Sequence, residues 1–183
     1  MIWTRELRSR RAHTRWVDLA LVMTVAVPLA AGCARPAPPV PSADTARPAP
    51  DSVHLSLERG PCFGTCPVYK VTMEGSGAVV FEGRRFVADS GVSTASVPAE
   101  RVDSLIAAIT AAGFFDFADR YAAGDPGCER YATDLPSAII EVRAKGREKR
   151  VEHDHGCMGA PPALSALESL IDSAAGVSRW LRR

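Results

Sequence analysis

The motifs that usually identify an enzyme are absent from this 183-residue sequence. It contains no G-x-S-x-G nucleophile elbow, no glycine-rich phosphate loop and no H-E-x-x-H zinc motif. Histidine, the commonest acid–base side chain, is also scarce, with four residues in the whole chain. Nothing in the sequence therefore nominates a catalytic residue, and we expect a non-catalytic protein without a cofactor.

A strong charge of either sign is also lacking. The first 32 residues hold five of the 22 basic residues and two of the 21 acidic ones, so the remainder carries a net charge near −2. A basic cluster remains around a predicted turn, where such residues are typical of a solvated hairpin that protects a sheet edge. It comprises Arg143, Lys145, Arg147, Lys149 and Arg150. We therefore expect no nucleic-acid partner.

No apolar run is long enough for a permanent membrane span. Leu19 to Ala31 supplies 13 apolar or small residues, whereas a spanning helix needs about 20. An arginine-rich segment ending at Arg15 precedes this run, an order typical of an export signal. A short transmembrane helix and an ordinary secretory signal remain as alternatives.

Cys33 stands directly after Ala31-Gly32 at the end of the apolar run. This arrangement resembles the bacterial lipobox, although Ala30 replaces its usual leucine. The resemblance implies that residues 1–32 are a lipoprotein signal peptide and that Cys33 carries the acyl chains, such as palmitate, that anchor the protein to a membrane. We therefore expect a cell-envelope protein facing the periplasm or the exterior. Because residue 34 is not aspartate, the outer membrane is favoured in a Gram-negative cell.

Proline dominates the segment after the predicted lipid site. Residues 34–50 contain six prolines, no aromatic residue and one valine, too little apolar surface for a packed core. Residues 33–50 are therefore predicted to be a lipidated cysteine and a tether, and residues 51–183 to be a single folded domain.

Apolar residues alternate with polar ones along several stretches of this domain, which indicates half-buried strands. Gly75-Ser76-Gly77 is typical of a hairpin turn between two of them. The predicted strands cover residues 53–57, 69–73, 78–81, 86–87 and 92–97, together with a hairpin from Ala138 to His153 that turns at Lys145-Gly146.

Two segments have the apolar spacing of helices instead. The first begins at Pro98 and ends at Gly113, and the second begins at Pro161-Pro162 and ends at Gly176. The order of elements predicts an α+β domain, in which an antiparallel sheet of about five to six strands packs one face against two helices.

Four cysteines remain after Cys33, an even number that favours disulfides in an exported domain. Three pairings are possible. Cys62 and Cys66 share one loop, whereas Cys128 and Cys157 each lie in a glycine-containing loop on either side of the second hairpin. The favoured pairs are therefore Cys62 with Cys66 and Cys128 with Cys157.

The C-x-x-x-C-P segment at Cys62 also admits a metal site or a thiol-redox role. It resembles the copper motif of copper-chaperone-like thioredoxin folds, and His153 and His155 offer further ligands alongside Cys62 and Cys66. In that family the motif opens a helix, whereas the residues after Cys66 have a strand pattern. We favour a structural clasp with Phe63 at its tip, where an exposed ring would be a candidate partner contact, although Phe63 folding into the core is an alternative.

The segment Leu55–Tyr69 (LSLERGPCFGTCPVY) resembles the opening of a bacterial lipoprotein-associated family, domain of unknown function 6438. The likeness extends through Phe81-Glu82-Gly83, Arg85-Phe86, Gly113-Phe114-Phe115, Thr133–Pro136 and Arg179-Trp180. Cys128 and Cys157 lie outside the pattern of that family. The resemblance implies a fold and an envelope location, and it implies no catalytic residue.

These observations predict a lipid-anchored envelope protein whose domain binds a partner or supports an assembly. Its expected partners are the membrane, through the lipid, and an envelope protein. The alternative is a copper- or zinc-handling or thiol-redox protein that uses the C-x-x-x-C loop.

Overall fold

The computed structural model describes residues 52–181. The predicted signal peptide, the lipid site at Cys33 and the proline-rich tether lie outside these residues. Along the described chain, four strands precede the first α-helix, and three more strands precede the other two. The elements are β1 (His54–Arg59), β2 (Val68–Glu74), β3 (Ala78–Arg85), β4 (Gly91–Ser96), α1 (Ala99–Ala111), β5 (Arg120–Tyr121), β6 (Ser137–Ala144), β7 (Arg147–Asp154), α2 (Pro162–Ala175) and α3 (Ser178–Leu181).

The seven strands form one sheet in the order β4-β3-β2-β1-β6-β7-β5. Neighbouring strands are antiparallel except for β5, which pairs in parallel with β7. The α+β class is confirmed, but the prediction of five to six antiparallel strands is wrong, because the sheet is larger and mixed. β5 has two residues, too few to show the alternation by which strands are recognised in a sequence.

The strand predicted at Phe86-Val87 is also wrong. β3 ends at Arg85, and Phe86 has a φ of 55°, in the left-handed region that interrupts a strand. The other predicted strands and both helices are confirmed, with small shifts at their ends. A 3-10 turn at Phe114–Asp116 and the short α3 were not predicted.

One face of the sheet packs against the helices. In β1 and β2 every second residue is buried in the core, including Leu55, Leu57, Val71 and Met73. The apolar stripe of α1 joins them, as do Leu164, Leu167 and Ile171 of α2. Trp180 of α3 completes this core by stacking on Phe81, with ring centroids 4.7 Å apart. No helix within residues 52–181 has the length and hydropathy needed to cross a membrane.

The connections differ greatly between the two ends of the sheet. At the end where β1 begins, both hairpins close through short turns, Gly75-Ser76-Gly77 and Lys145-Gly146. At the other end lie the longer connections between strands and before α2. We call this the loop end and define it as residues 60–67, 86–90, 122–136 and 155–161.

Candidate functional site

Exposed apolar side chains concentrate at the loop end. Phe63 has 89% of its surface exposed, the largest fraction among the exposed large apolar residues of the described chain. Phe86, Tyr131, Leu135 and Met158 are the others in these loops. Outside them, Val92 lies at the start of β4, beside the loop end, and Leu170 lies on α2. Exposed apolar residues grouped in this way are typical of interaction sites.

Both cysteine pairs also lie at the loop end. Cys62 and Cys66 lie at disulfide distance with their Cα atoms 5.8 Å apart, and Cys128 and Cys157 do so with Cα atoms 4.8 Å apart. These are the two pairs that the sequence favours. The first closes a five-residue ring with Phe63 in it, and the second joins residues 122–136 to residues 155–161.

Backbone hydrogen bonds connect three of the four loops. Phe63 N donates to Asp134 O at 3.1 Å, and Met158 N donates to Arg130 O at 3.1 Å. The second contact belongs to a region of very close backbone approach, where a Cβ atom on Gly159 would lie 1.7 Å from Gly127 O. Only glycine fits there. Phe63, Tyr131, Leu135 and Met158 therefore lie on loops that are held to one another by backbone hydrogen bonds.

A buried carboxylate lies beneath these loops, between the sheet and α2. Glu168 of α2 is 1% exposed, and three cationic or imidazole side chains surround it. His153 Nδ1 lies 2.7 Å from Oε1, His155 Nε2 lies 2.8 Å from Oε2, and Arg59 Nη1 lies 2.6 Å from Oε2. Because an ionised carboxylate only accepts hydrogen bonds, each of these nitrogens is a donor.

The partners of Glu168 decide its charge. Burial by itself raises the pKa of this carboxyl, but the hydrogen bonds from His153 and His155 and the charge of Arg59 outweigh burial and lower the pKa to about 2. Glu168 is therefore an anion throughout the physiological range. A buried charge is tolerated only when it is paired and hydrogen-bonded in this way.

Arg59 extends the network to a second carboxylate. Its Nη2 donates to Asp172 Oδ2 at 2.7 Å, and Tyr69 donates its hydroxyl hydrogen to Asp172 Oδ1 at 2.7 Å. Burial lowers the pKa of Arg59, but the charges of Asp172 and Glu168 outweigh it and raise that pKa. Burial and the adjacent Asp172 charge raise the pKa of Tyr69, so this hydroxyl stays protonated.

A small cleft of about 220 Å³ adjoins the network at the loop end. Its lining includes Arg59, Tyr69, Cys66, Pro67 and Leu181. Since the polar groups of Arg59 and Tyr69 are already bonded to Asp172, the cleft presents mainly apolar surface. It continues the apolar character of the exposed loops.

The family model described as Domain of unknown function (DUF6438) matches residues 53–175, which is more than half of the chain. The chain belongs to this family. The family inferred from the sequence is thereby confirmed over residues 53–175, and its description assigns no activity. A search of curated proteins found no match.

The match includes every member of the buried network and both cysteine pairs of the DUF6438 domain. It does not include α3, although Trp180 and Leu181 contribute to the core and to the cleft. The loop end is thus built mostly, but not wholly, from the matched region.

The residues proposed as metal ligands from the sequence are only partly brought together in the DUF6438 domain. His153 and His155 lie side by side, with ring centroids 4.5 Å apart. Cys62 and Cys66 are bonded to each other, so neither offers a free thiolate. His153 is buried, at 4% exposure, and bonded to Glu168.

Sequence reasoning missed Arg59, Tyr69, Glu168 and Asp172. A signal existed for Glu168, because it follows Leu164 by four residues and occupies the buried stripe of α2. Arg59 likewise continues the inward alternation of Leu55 and Leu57. A charged residue at a core position predicts a buried partner of opposite charge.

The basic cluster of the β6–β7 hairpin carries acidic partners. Lys149 bonds Asp119, Arg147 bonds Asp116, and Arg143 bonds Glu148. Arg150 lies 3.4 Å from Glu141 and 3.5 Å from Glu152. These contacts distribute both signs of charge over the hairpin surface.

Proposed function

We propose that this protein is a lipid-anchored cell-envelope protein whose α+β domain is a non-catalytic binding or assembly module. The partner surface is the loop end, with Phe63 as its most exposed apolar contact. The observation that carries the proposal is the concentration of exposed apolar side chains at the loop end, where both disulfides also lie.

Rigid presentation of an aromatic side chain favours binding. Ordering a mobile loop costs free energy at the moment of association, and a loop closed by a disulfide has already met most of that cost. Aromatic residues also dominate the energetics of protein interfaces. Phe63 combines both properties, and the bond from its amide to Asp134 O brings its loop beside Leu135.

The position of the first strand is consistent with partner binding at the loop end. β1 begins at His54, at the end of the sheet opposite the loop end. The described residues therefore begin at the end of the sheet opposite the proposed partner surface. This supports a module that extends from a membrane and engages a partner in the envelope.

The alternative is metal handling or thiol redox chemistry by Cys62 and Cys66. Both require that the bond between these cysteines open, since the thiolate is the reactive and ligating form. Cys66 lines the cleft beside Arg59, which would give a small molecule access to it. The exposed apolar residues favour the binding role over this alternative.

Phe63→Ala should reduce partner binding strongly while leaving the melting temperature unchanged, because the ring is 89% exposed and contributes little to the core. A photo-crosslinking amino acid placed at position 63 in living cells should give an adduct of discrete mass. Leu170, exposed on α2, is the matched control position and should give none. Equal crosslinking from both positions, or none from position 63, would contradict the proposed surface.

Cys33→Ser should abolish acylation of the protein in its native host. Cys33 alone follows the apolar run, and acyl chains attached there would provide stable anchoring because more than one chain is involved. Metabolic labelling with a fatty-acid analogue measures the outcome, with Cys62→Ser as the control that keeps its label. If the Cys33→Ser variant still carried the label, Cys33 would not be the acylated residue.

A further inference from the structure

We infer that His153, His155 and Glu168 form a divalent-cation site that takes Zn²⁺, separate from the disulfide-bonded cysteines. This inference does not depend on the proposed partner surface, and the site lies beneath it. The three side chains come from β7, the residue after its end, and α2.

The geometry of the ligand atoms carries this inference. One ligand atom from each of the three residues lies within 4.8 Å of the other two. The two closest approaches are already 2.7 and 2.8 Å, from the imidazole nitrogens to the carboxylate. Ligand atoms around a tetrahedral zinc ion lie about 3.4 Å apart, given bond lengths of about 2.1 Å. Shifts of about an ångström would therefore seat the ion.

The ligand chemistry suits zinc. Two imidazoles and one carboxylate form a donor set that zinc uses in proteins, with the fourth position open to water. On binding, the ion takes the place of the two hydrogen-bonding protons between the imidazoles and Glu168. A neutral imidazole that donates to Glu168 must first move that proton to its other ring nitrogen, through solvent, whereas an imidazolium already has a proton there and releases the facing one to solvent.

Arg59 lies close to the site, and its charge opposes a cation. Asp172 offsets that charge by accepting from Arg59 Nη2, so that Arg59, Glu168 and Asp172 together carry one negative charge. Arg59 donates to Oε2 of Glu168, which leaves Oε1 for the ion. A hydrogen bond to a ligating carboxylate is a common outer contact of metal sites.

His155 is the most solvent-exposed of the three proposed ligands. The His155 side chain is 26% exposed, whereas those of His153 and Glu168 are 5% and 1% exposed. The ion would enter past His155 and be held mainly by buried groups. His155 is therefore the ligand whose replacement perturbs the fold least.

The test uses the full-length protein, purified without a histidine tag and with its disulfides intact. In a calorimetric titration, one equivalent of Zn²⁺ should bind per chain. Co²⁺ bound in its place should give the visible absorption spectrum of a tetrahedral site. His155→Gln should weaken binding about 100-fold, since loss of even an outer partner of a ligand costs about 10- to 100-fold. His54→Gln is the matched control, because His54 also bonds a glutamate, Glu74, at the other end of the sheet.

The Cys62→Ser/Cys66→Ser double variant separates this site from the C-x-x-x-C loop and should bind Zn²⁺ as the native protein does. An unchanged melting temperature for His155→Gln shows that its loss of binding is local. Absence of zinc binding by the native protein overturns the inference. Equal binding by the native protein and His155→Gln, or loss of binding in the cysteine double variant, overturns it as well.

Discussion

Glu168→Gln should lower the free energy of unfolding by about 3 kcal/mol or more, the range for removing one member of a buried ionic network. The glutamine keeps the volume of the side chain but loses the charge that Arg59, His153 and His155 surround. Its amide nitrogen also places a donor against groups that are themselves donors. Urea unfolding with the disulfides intact measures the change, and an unchanged m-value shows that the midpoint reports stability alone.

Glu74→Gln is the matched control for this substitution. Glu74 also accepts a hydrogen bond from a histidine, at 2.8 Å, but its side chain is 47% exposed. Because exposed ion pairs contribute little, its loss should cost less than about 1 kcal/mol. A loss from Glu168→Gln no larger than that from Glu74→Gln would show that the buried network does not stabilise the fold.

Removing the Cys128–Cys157 pair by a double serine substitution should lower the free energy of unfolding by about 3.5 kcal/mol. The bond closes a long loop, with a sequence separation of 29, and the entropy lost by the unfolded chain grows with loop length. Both sulfur-bearing residues are buried, at 3% and 4% exposure, so the serine hydroxyls add a desolvation cost. Chemical denaturation of the variant and the native protein gives the difference.

Removing the Cys62–Cys66 pair should cost less unfolding free energy than removing Cys128–Cys157, because its sequence separation is only 4. The same entropy argument gives about 2 kcal/mol for its removal. Thiol labelling of the denatured but unreduced native protein should find neither pair free. If the Cys128 and Cys157 thiols react under those conditions, the pair does not form in solution.

The secondary structure was largely predictable because its signals are local. Strands β1 and β2 alternate apolar and polar residues over most of their length, β6 alternates buried and part-buried residues, and α1 repeats its apolar residues at helical spacing. β5 escaped prediction because two residues carry no periodicity, and its pairing with β7 depends on a chain segment about 30 residues away. The turn at Phe86 was not predicted, because the residue with the positive φ is neither a proline nor a glycine.

The cysteine pairing followed from the sequence for a reason of topology. An antiparallel hairpin brings its two ends together, so the loops before β6 and after β7 had to meet. The exposure of Phe63 did not follow in the same way. A phenylalanine is as compatible with the core as with a surface, and only the position of the 60–67 loop beyond the edge of the core decides between them.

By itself, the sequence determined the α+β class, the helices, most strands, the family and the two cysteine pairs, since each depends on local spacing or on hairpin geometry. Only the tertiary structure decided what Glu168 does. Its place on the apolar stripe of α2 is visible in the sequence, but its partners Arg59, His153 and His155 come from two strands and a loop. A buried charge selects its partners by proximity in space, and that proximity arises only when α2 packs across the sheet.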